Sequence, residues 1–171
     1  GAKHLRELIK AKEEGYEATV LFVIQMKGIG EFRPNEERDQ NFTAALREAA
    51  AAGVKILAYD PYMNEAAAAK LCVTPVSLDT LLAESDVVSL HLPATPQTHH
   101  LINRETIAKM KDGAYLVNTS RGVLIDESAL KEALESGKLA GAALDVFERE
   151  PITKDLALNS VDNILLAPHV A

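Results

Sequence analysis

Two hydrophobic periods alternate along the chain. From Lys3 to Glu14, Leu5, Leu8 and Ile9 fall on one face of a helix, and Gly15 suits its C-cap. Ala18 to Ile24 (ATVLFVI) is a continuous β-rich apolar run of the kind buried on both faces of a sheet. A polar stretch, Gly28 to Gln40, follows. Asn41 to Ala52 returns to helical spacing, with Phe42, Ala45, Leu46 and Ala49 inward and Gly53 at the end. Val54 to Tyr59 (VKILAY) is the second strand and stops at Asp60. Asn64 caps an Ala-rich helix to about Leu71, Val73 to Val76 is a short strand, and Ser77 caps a helix to Ala83. Val87 to Leu92 is a strand, and Asn103 caps a helix to Met110. Lys111-Asp112-Gly113 turns into the strand Tyr115 to Val117, and Asp126 caps a helix that stops before Gly137. Ala142 to Val146 and Ile164 to Leu166 are the last strands expected. Strands alternating with helices predict an α/β fold, and right-handed crossovers limit it to a doubly wound parallel sheet.

The chain has 171 residues, 47% of them hydrophobic, which predicts one domain with a sizeable core. No apolar run approaches the ~20 residues of a membrane span. One cysteine, Cys72, excludes an internal disulfide and a cysteine-cluster metal site. Net charge is −7, with 9 basic against 10 acidic residues in the first sixty and 9 against 15 thereafter. Neither part has the basic excess that follows a phosphate backbone, so no nucleic-acid partner is expected. No signal peptide is expected from the opening residues, and Gly1-Ala2 reads as the remnant of a cleaved tag.

Several polar residues fall where strands end. A carboxylate at Asp60 can accept both ribose hydroxyls of an adenosine and would repel a 2′-phosphate, favouring NAD over NADP; a solvent-facing turn residue before Pro61 is the plainer reading. Arg121, in Asn118-Thr119-Ser120-Arg121-Gly122, follows a strand, where a guanidinium can grip a carboxylate through two hydrogen bonds. Asp145 lies in the next such segment. His99-His100 sits in a polar loop with no carboxylate or cysteine at ligand spacing, so no metal site is expected there.

From about Ala58 to Ala171 the sequence resembles the nucleotide-binding domain of the D-isomer-specific 2-hydroxyacid dehydrogenases, in particular the phosphoglycerate dehydrogenase branch. The resemblance is carried by AYDPY, SDVVSLHLPATPQTHHLIN, MKDGAYLVNTSRGVLIDESAL, LAGAALDVFEREP and NILLAPHV. It implies a Rossmann-like oxidoreductase domain. Asp60, Pro93, Thr119, Arg121 and Asp145 would contact NAD, with Asp145 toward the nicotinamide. It also implies that Arg121 binds the substrate carboxylate and that His169 exchanges the proton of the substrate hydroxyl. Glu150, paired with the imidazolium, would raise the basicity of His169. A surface or core histidine without a role is the plainer reading of His169 taken alone.

The first third departs from that pattern. A dinucleotide turn needs G-x-G-x-x-G directly after the first strand, so that the backbone and the following helix terminus approach the phosphates. This chain reads Gly28-Ile29-Gly30-Glu31-Phe32-Arg33-Pro34. Arg33 stands at the third glycine position, and Pro34 keeps Arg33 out of the helical region. Asp60 lies 30 residues beyond Gly30, where the spacing is ordinarily ~20. The added length carries Glu31, Glu36, Glu37 and Asp39, which would repel a pyrophosphate.

Residues 3 to about 60 instead resemble the sugar fermentation stimulation protein family, through KHLRELI, GYEATVLFVIQMKGIGEFRPNEERDQNF and LREAAAAGVKILAYD. That resemblance implies a restriction-endonuclease-like α/β parent with suspected DNA binding or nuclease action. Of a metal-nuclease strand motif only Gln25 remains, so no metal is expected.

The two resemblances change over within Gly53 to Asp60. The expectation is therefore an engineered chimera: one Rossmann-like domain over residues 1–171. Its first helix and βαβ unit (3–60) would come from a nuclease-like parent and residues 58–171 from a dehydrogenase. A separate substrate domain is not expected in the chain, and no catalysis of its own follows. A remnant NAD site with weak binding is the alternative, and a nucleic-acid-binding fragment the second. A homodimer through the exposed crevice or sheet surfaces is possible, and both parents imply a cytoplasmic setting.

Overall fold

A computed structural model describes residues 6, 9, 10, 12–14, 19–24, 40–61, 68, 73–153 and 155–169. The expectations for Lys3, His4, Gly15, Gln25, the Gly28 to Asp39 segment, Asn64 and Cys72 lie outside these residues.

Among the described residues, seven strands form one sheet: β1 (Thr19–Ile24), β2 (Lys55–Tyr59), β3 (Thr74–Pro75), β4 (Val87–His91), β5 (Ala114–Asn118), β6 (Leu139–Leu144) and β7 (Ile164–Leu166). Their order is β3-β2-β1-β4-β5-β6-β7, and every pair is parallel. The order reverses between β1 and β4, the switch point at which ligands settle on such sheets. β1 is in register with β2 from Thr19↔Lys55 to Val23↔Tyr59 and with β4 from Val20↔Val87 to Ile24↔His91. The first strand is thus hydrogen-bonded on both edges.

Among the described residues the helices with defined bounds are α1 (Gln40–Ala51), α2 (Leu78–Glu84), α3 (Arg104–Lys109) and α4 (Glu127–Glu135). Three of them begin at the caps the sequence predicts. The Ser77 hydroxyl accepts from Thr80 N–H at 3.1 Å. Asn103 Oδ1 accepts from Glu105 and Thr106 N–H, while Thr106 Oγ1 returns a bond to Asn103 N–H at 2.8 Å. Asp126 Oδ1 accepts from Ser128 and Ala129 N–H. Each cap is worth roughly 1 kcal/mol. Ahead of β1, Arg6, Ile9, Lys10, Lys12 and Glu13 are helical, and Arg6 pairs with Glu48 of α1.

The core lies between the sheet and α2, α3 and α4. Val88 and Leu90 of β4, Leu116 of β5 and Leu144 of β6 point into it, with Leu81, Leu82, Ile107 and Leu130 opposite. The two-residue period of a strand sends Tyr115 and Leu165 to the other face, where they are 52% and 69% exposed. β2 differs: Ile56, Leu57 and Ala58 are all buried, as in a strand covered on both faces. Ala45 and Ala49 are buried as the periodicity of α1 requires. Among the described residues, no helix is long and apolar enough to cross a membrane.

One strand is misplaced by the sequence pattern. β6 runs from Leu139 to Leu144, three residues earlier than Ala142 and ending before Asp145. The low β-propensity of Leu-Ala-Gly hides its start. Gly141 belongs there because the Tyr115 ring lies over it, within 3.1 Å of where a Cβ would be.

Candidate functional site

All strands are parallel, so every residue that directly follows a strand stands at one edge of the sheet. Asp60 follows β2, Pro93 lies two residues beyond β4, and Thr119 and Arg121 follow β5. Asp145 follows β6, and His169 lies three residues beyond β7. The edge therefore carries, in spatial order, Asp60, Pro93, the Thr119–Arg121 turn, Asp145 and His169. Three strand spacings, roughly 14 Å, separate the ends of β2 and β5.

The turn after β5 is fixed from below. Asn118 is fully buried. Its Nδ2 donates to the Arg121 carbonyl at 2.9 Å, and its Oδ1 accepts from Ser120 N–H at 3.0 Å. Ser120 Oγ donates to the Leu90 carbonyl at 2.7 Å, tying this turn to the end of β4. The Arg121 side chain is exposed beyond this base. The Asn118 carbonyl accepts from Asp145 N–H at 3.0 Å, which extends the β5–β6 ladder by one residue. Asp145 is 5% exposed.

Pro93 and Thr119 are both exposed. The Pro93 loop is shaped by Thr98, whose hydroxyl donates to the Pro93 carbonyl at 2.8 Å and accepts from Thr95 N–H at 2.8 Å.

Glu150 and His169 meet. His169 Nδ1 lies 2.8 Å from Glu150 Oε2, and the other carboxylate oxygen accepts from Phe147 N–H at 3.1 Å. The bond to His169, followed by that from Phe147, holds the Glu150 carboxyl below its ordinary value of 4.5. An ionised carboxylate only accepts, so Nδ1 carries the proton of this bond. His169 has φ 58°, a left-handed conformation uncommon for a residue with a side chain, and such strain gathers at functional sites.

His91 ends β4 beside the switch point. Its Nε2 lies 2.8 Å from Ser89 Oγ, and burial above all lowers its pKa to about 4, so the ring is neutral at pH 7.

A separate groove of about 470 Å³ is lined by His99, His100, Glu127, Glu148, Asp155 and Leu156 among others, and by none of the residues named above. Here the structure corrects the sequence reading: His100 does have a carboxylate partner, Glu148, at 2.8 Å. That partner is remote in sequence and is brought up by the loop after β6. Glu127 and Glu148 exchange backbone-to-carboxylate bonds at the start of α4, and burial raises the Glu127 carboxyl. Among the described residues, no three His, Cys, Asp or Glu side chains are placed to hold a metal.

Asn118, Ser120, Gly122 and Phe147 are the residues that sequence reasoning passed over. For Asn118, Ser120 and Gly122 the signal is the NTSRG segment itself, in which an amide and a glycine flank Arg121; Phe147 carries no local signal of its contact with Gly122.

The family model of the D-isomer specific 2-hydroxyacid dehydrogenase, NAD binding domain, matches residues 43–171. The model of the sugar fermentation stimulation protein RE domain matches residues 1–67. A hydroxypyruvate reductase of Thermotoga maritima is 53% identical over 126 residues, spanning 72% of this chain and 40% of that protein. A D-lactate dehydrogenase of Treponema pallidum is 48% identical over 141 residues, 75% of this chain and 42% of that protein. Among solved structures, the NAD complexed form of a D-isomer specific 2-hydroxyacid dehydrogenase from Lactobacillus delbrueckii ssp. bulgaricus superposes with a TM-score of 0.68 at 31% identity. That likeness covers 90% of this chain and 46% of that one. The chain thus spans about two-fifths of the length of these two curated relatives, and less of others.

Proposed function

The chain belongs to the D-isomer specific 2-hydroxyacid dehydrogenase family through its NAD binding domain, and on that premise we propose that it is a hybrid dinucleotide-binding domain. Residues 58–171 carry the NAD(H) crevice and the dehydrogenase proton relay. Residues 3–60 contribute a first helix and βαβ unit from a nuclease-like parent. The hybrid holds NAD(H) weakly and turns over no substrate by itself.

Several features fit the cofactor. The sheet has its switch point between β1 and β4, and Asp60 stands at the end of β2, where a carboxylate meets an adenosine ribose. Thr119 and Asp145 lie farther along the same edge, and Asp145 would contact the nicotinamide. NAD supplies the hydride acceptor, and NADH the donor. Arg121, whose Nη1 donates to the Ser120 carbonyl at 2.5 Å, would bind a substrate carboxylate through two hydrogen bonds. With Nδ1 of His169 engaged by Glu150, Nε2 is the nitrogen that gives or takes the proton of a substrate hydroxyl.

Weak binding follows from the segment between β1 and α1. One sequence observation carries this part of the reading: Gly28-Ile29-Gly30-Glu31-Phe32-Arg33 lacks the third glycine and is followed by further carboxylates. Lack of turnover follows from solvent access. The His169 and Glu150 side chains are 50% and 37% exposed, so water is not excluded from the relay. Overlap of the two family matches at residues 43–67, around α1 and β2, supports the hybrid origin. So does physical compatibility, because a parallel βαβ unit has the same hand and the same buried pattern in either fold.

The test is to replace Gly28 to Gln40 with a shorter turn that reads G-x-G-x-x-G. NADH affinity is expected to rise by at least tenfold, about 1.4 kcal/mol. Unchanged affinity in a folded variant would overturn the assignment of weakness to this segment.

A further inference from the structure

Gly122 follows Arg121 directly. A Cβ built on it would lie 1.9 Å from both the carbonyl carbon and the carbonyl oxygen of Phe147, and 2.6 Å from the Glu148 nitrogen. All three obstructing atoms are backbone, so no side-chain rotation relieves the contact. The φ of Gly122 is not among the positive ones. Close approach, not an unusual conformation, is therefore what demands glycine here.

Contacts run outward from this point in two directions. On one side, the Arg121 carbonyl is held by Asn118 and the Gly122 carbonyl accepts from Ile125 N–H at 3.0 Å. On the other, Phe147 N–H donates to Glu150, and Glu150 holds His169. The two limbs of the site come from different strands, β5 and β6. Above the Asn118–Asp145 rung, the Gly122–Phe147 contact sets one limb against the other.

We infer that Gly122 is a positioning residue: its bare Cα seats the Arg121 turn against the Phe147–Glu150 loop and so keeps the guanidinium in register with the His169–Glu150 pair. The inference rests on the dehydrogenase reading for the roles of Arg121, Glu150 and His169. The contact it describes needs no cofactor, so it is tested on the chain alone.

The experiment compares Gly122→Ala with Gly141→Ala. The second adds the same methyl group within β6, against Tyr115 and the Asn163 carbonyl. The readouts are hydrogen exchange of the Phe147 amide and the NMR titration of the Glu150 carboxyl. Gly122→Ala is expected to speed Phe147 exchange roughly tenfold or more and to move the Glu150 titration up toward the ordinary carboxylate range. Gly141→Ala is expected to change neither.

A folded Gly122→Ala variant with both readouts unchanged would overturn the inference, as would equal shifts in Gly141→Ala. Should Gly122→Ala not fold, native-state exchange of the unaltered chain decides. The Ile125 and Phe147 amides are expected to share one opening free energy, and separate values would overturn the inference. NADH binding is measured apart from this. Its absence would remove the functional reading and leave the Gly122 result standing as a structural one.

Discussion

His169 Nδ1 and Glu150 Oε2 lie 2.8 Å apart across nineteen positions of sequence, and Phe147 N–H braces the second oxygen of the same carboxylate. This pair is assembled by the chain's own backbone. Glu150 is therefore expected to titrate below its ordinary value of 4.5 in the folded chain. A carboxyl lowered by folding stabilises the fold above the unfolded value, and that stabilisation is lost as pH falls through the lowered folded value. Carboxyl NMR from pH 7 to pH 2 checks this. Titration of Glu150 together with the other exposed glutamates would contradict the pairing, and His169→Ala should bring Glu150 back among them.

His91 gives a second pH dependence at higher pH. Its folded value of about 4 lies below its ordinary 6.5. Stability is then full above about 6.5 and falls as pH drops toward 4, because the unfolded chain takes up the proton first. The loss is of the order of a few kcal/mol. Urea unfolding at pH 7 and pH 4.5 measures it. His91→Gln keeps a polar partner for Ser89 and is expected to flatten this part of the profile.

Asp60 is expected to set the choice of cofactor. In the variant with a restored glycine turn, Asp60→Ala should weaken NADH by roughly tenfold or more, as loss of charge-assisted hydrogen bonds worth about 1.5–3 kcal/mol requires. The same change should narrow the gap between NADH and NADPH. Parallel fluorescence titrations with the two cofactors provide the measurement. Equal losses for both would place Asp60 away from the ribose.

Leu116 lies at the centre of the sheet and is fully buried, whereas Leu165 on β7 is 69% exposed. Leu116→Ala is expected to cost about 2–5 kcal/mol and to lower the melting temperature by roughly 5–20 °C. Leu165→Ala should stay within about 0.5 kcal/mol. Thermal unfolding of the two variants separates the faces of the sheet.

Much of this frame is legible in the sequence because its signals are local. Ser77, Asn103 and Asp126 announce their helices through side chains that bond two or three residues ahead, and runs such as VKILAY and VVSLHL need only the strand period. Asp60 and Arg121 are locatable because each follows such a run, and Asp145 because it lies toward the end of one. The Gly122–Phe147 approach, the Asn118 brace and the His100–Glu148 pair are not legible in this way. The Gly122–Phe147 approach and the His100–Glu148 pair depend on loops from different strands meeting in space, which no periodicity encodes, and the Asn118 brace depends on a turn shape that no cap pattern announces. The start of β6 is hidden for a related reason: Gly141 is a weak strand former, required there by the Tyr115 ring and the Asn163 carbonyl beside it.

The central claim is that the dehydrogenase edge persists while its grip on the dinucleotide phosphates is weakened. Titrating the unaltered chain against NADH at pH 7, followed by cofactor fluorescence, tests it most directly. Saturation is expected only in the range of hundreds of micromolar or weaker, about −5 kcal/mol or less favourable. One-site saturation below about 100 µM would contradict it.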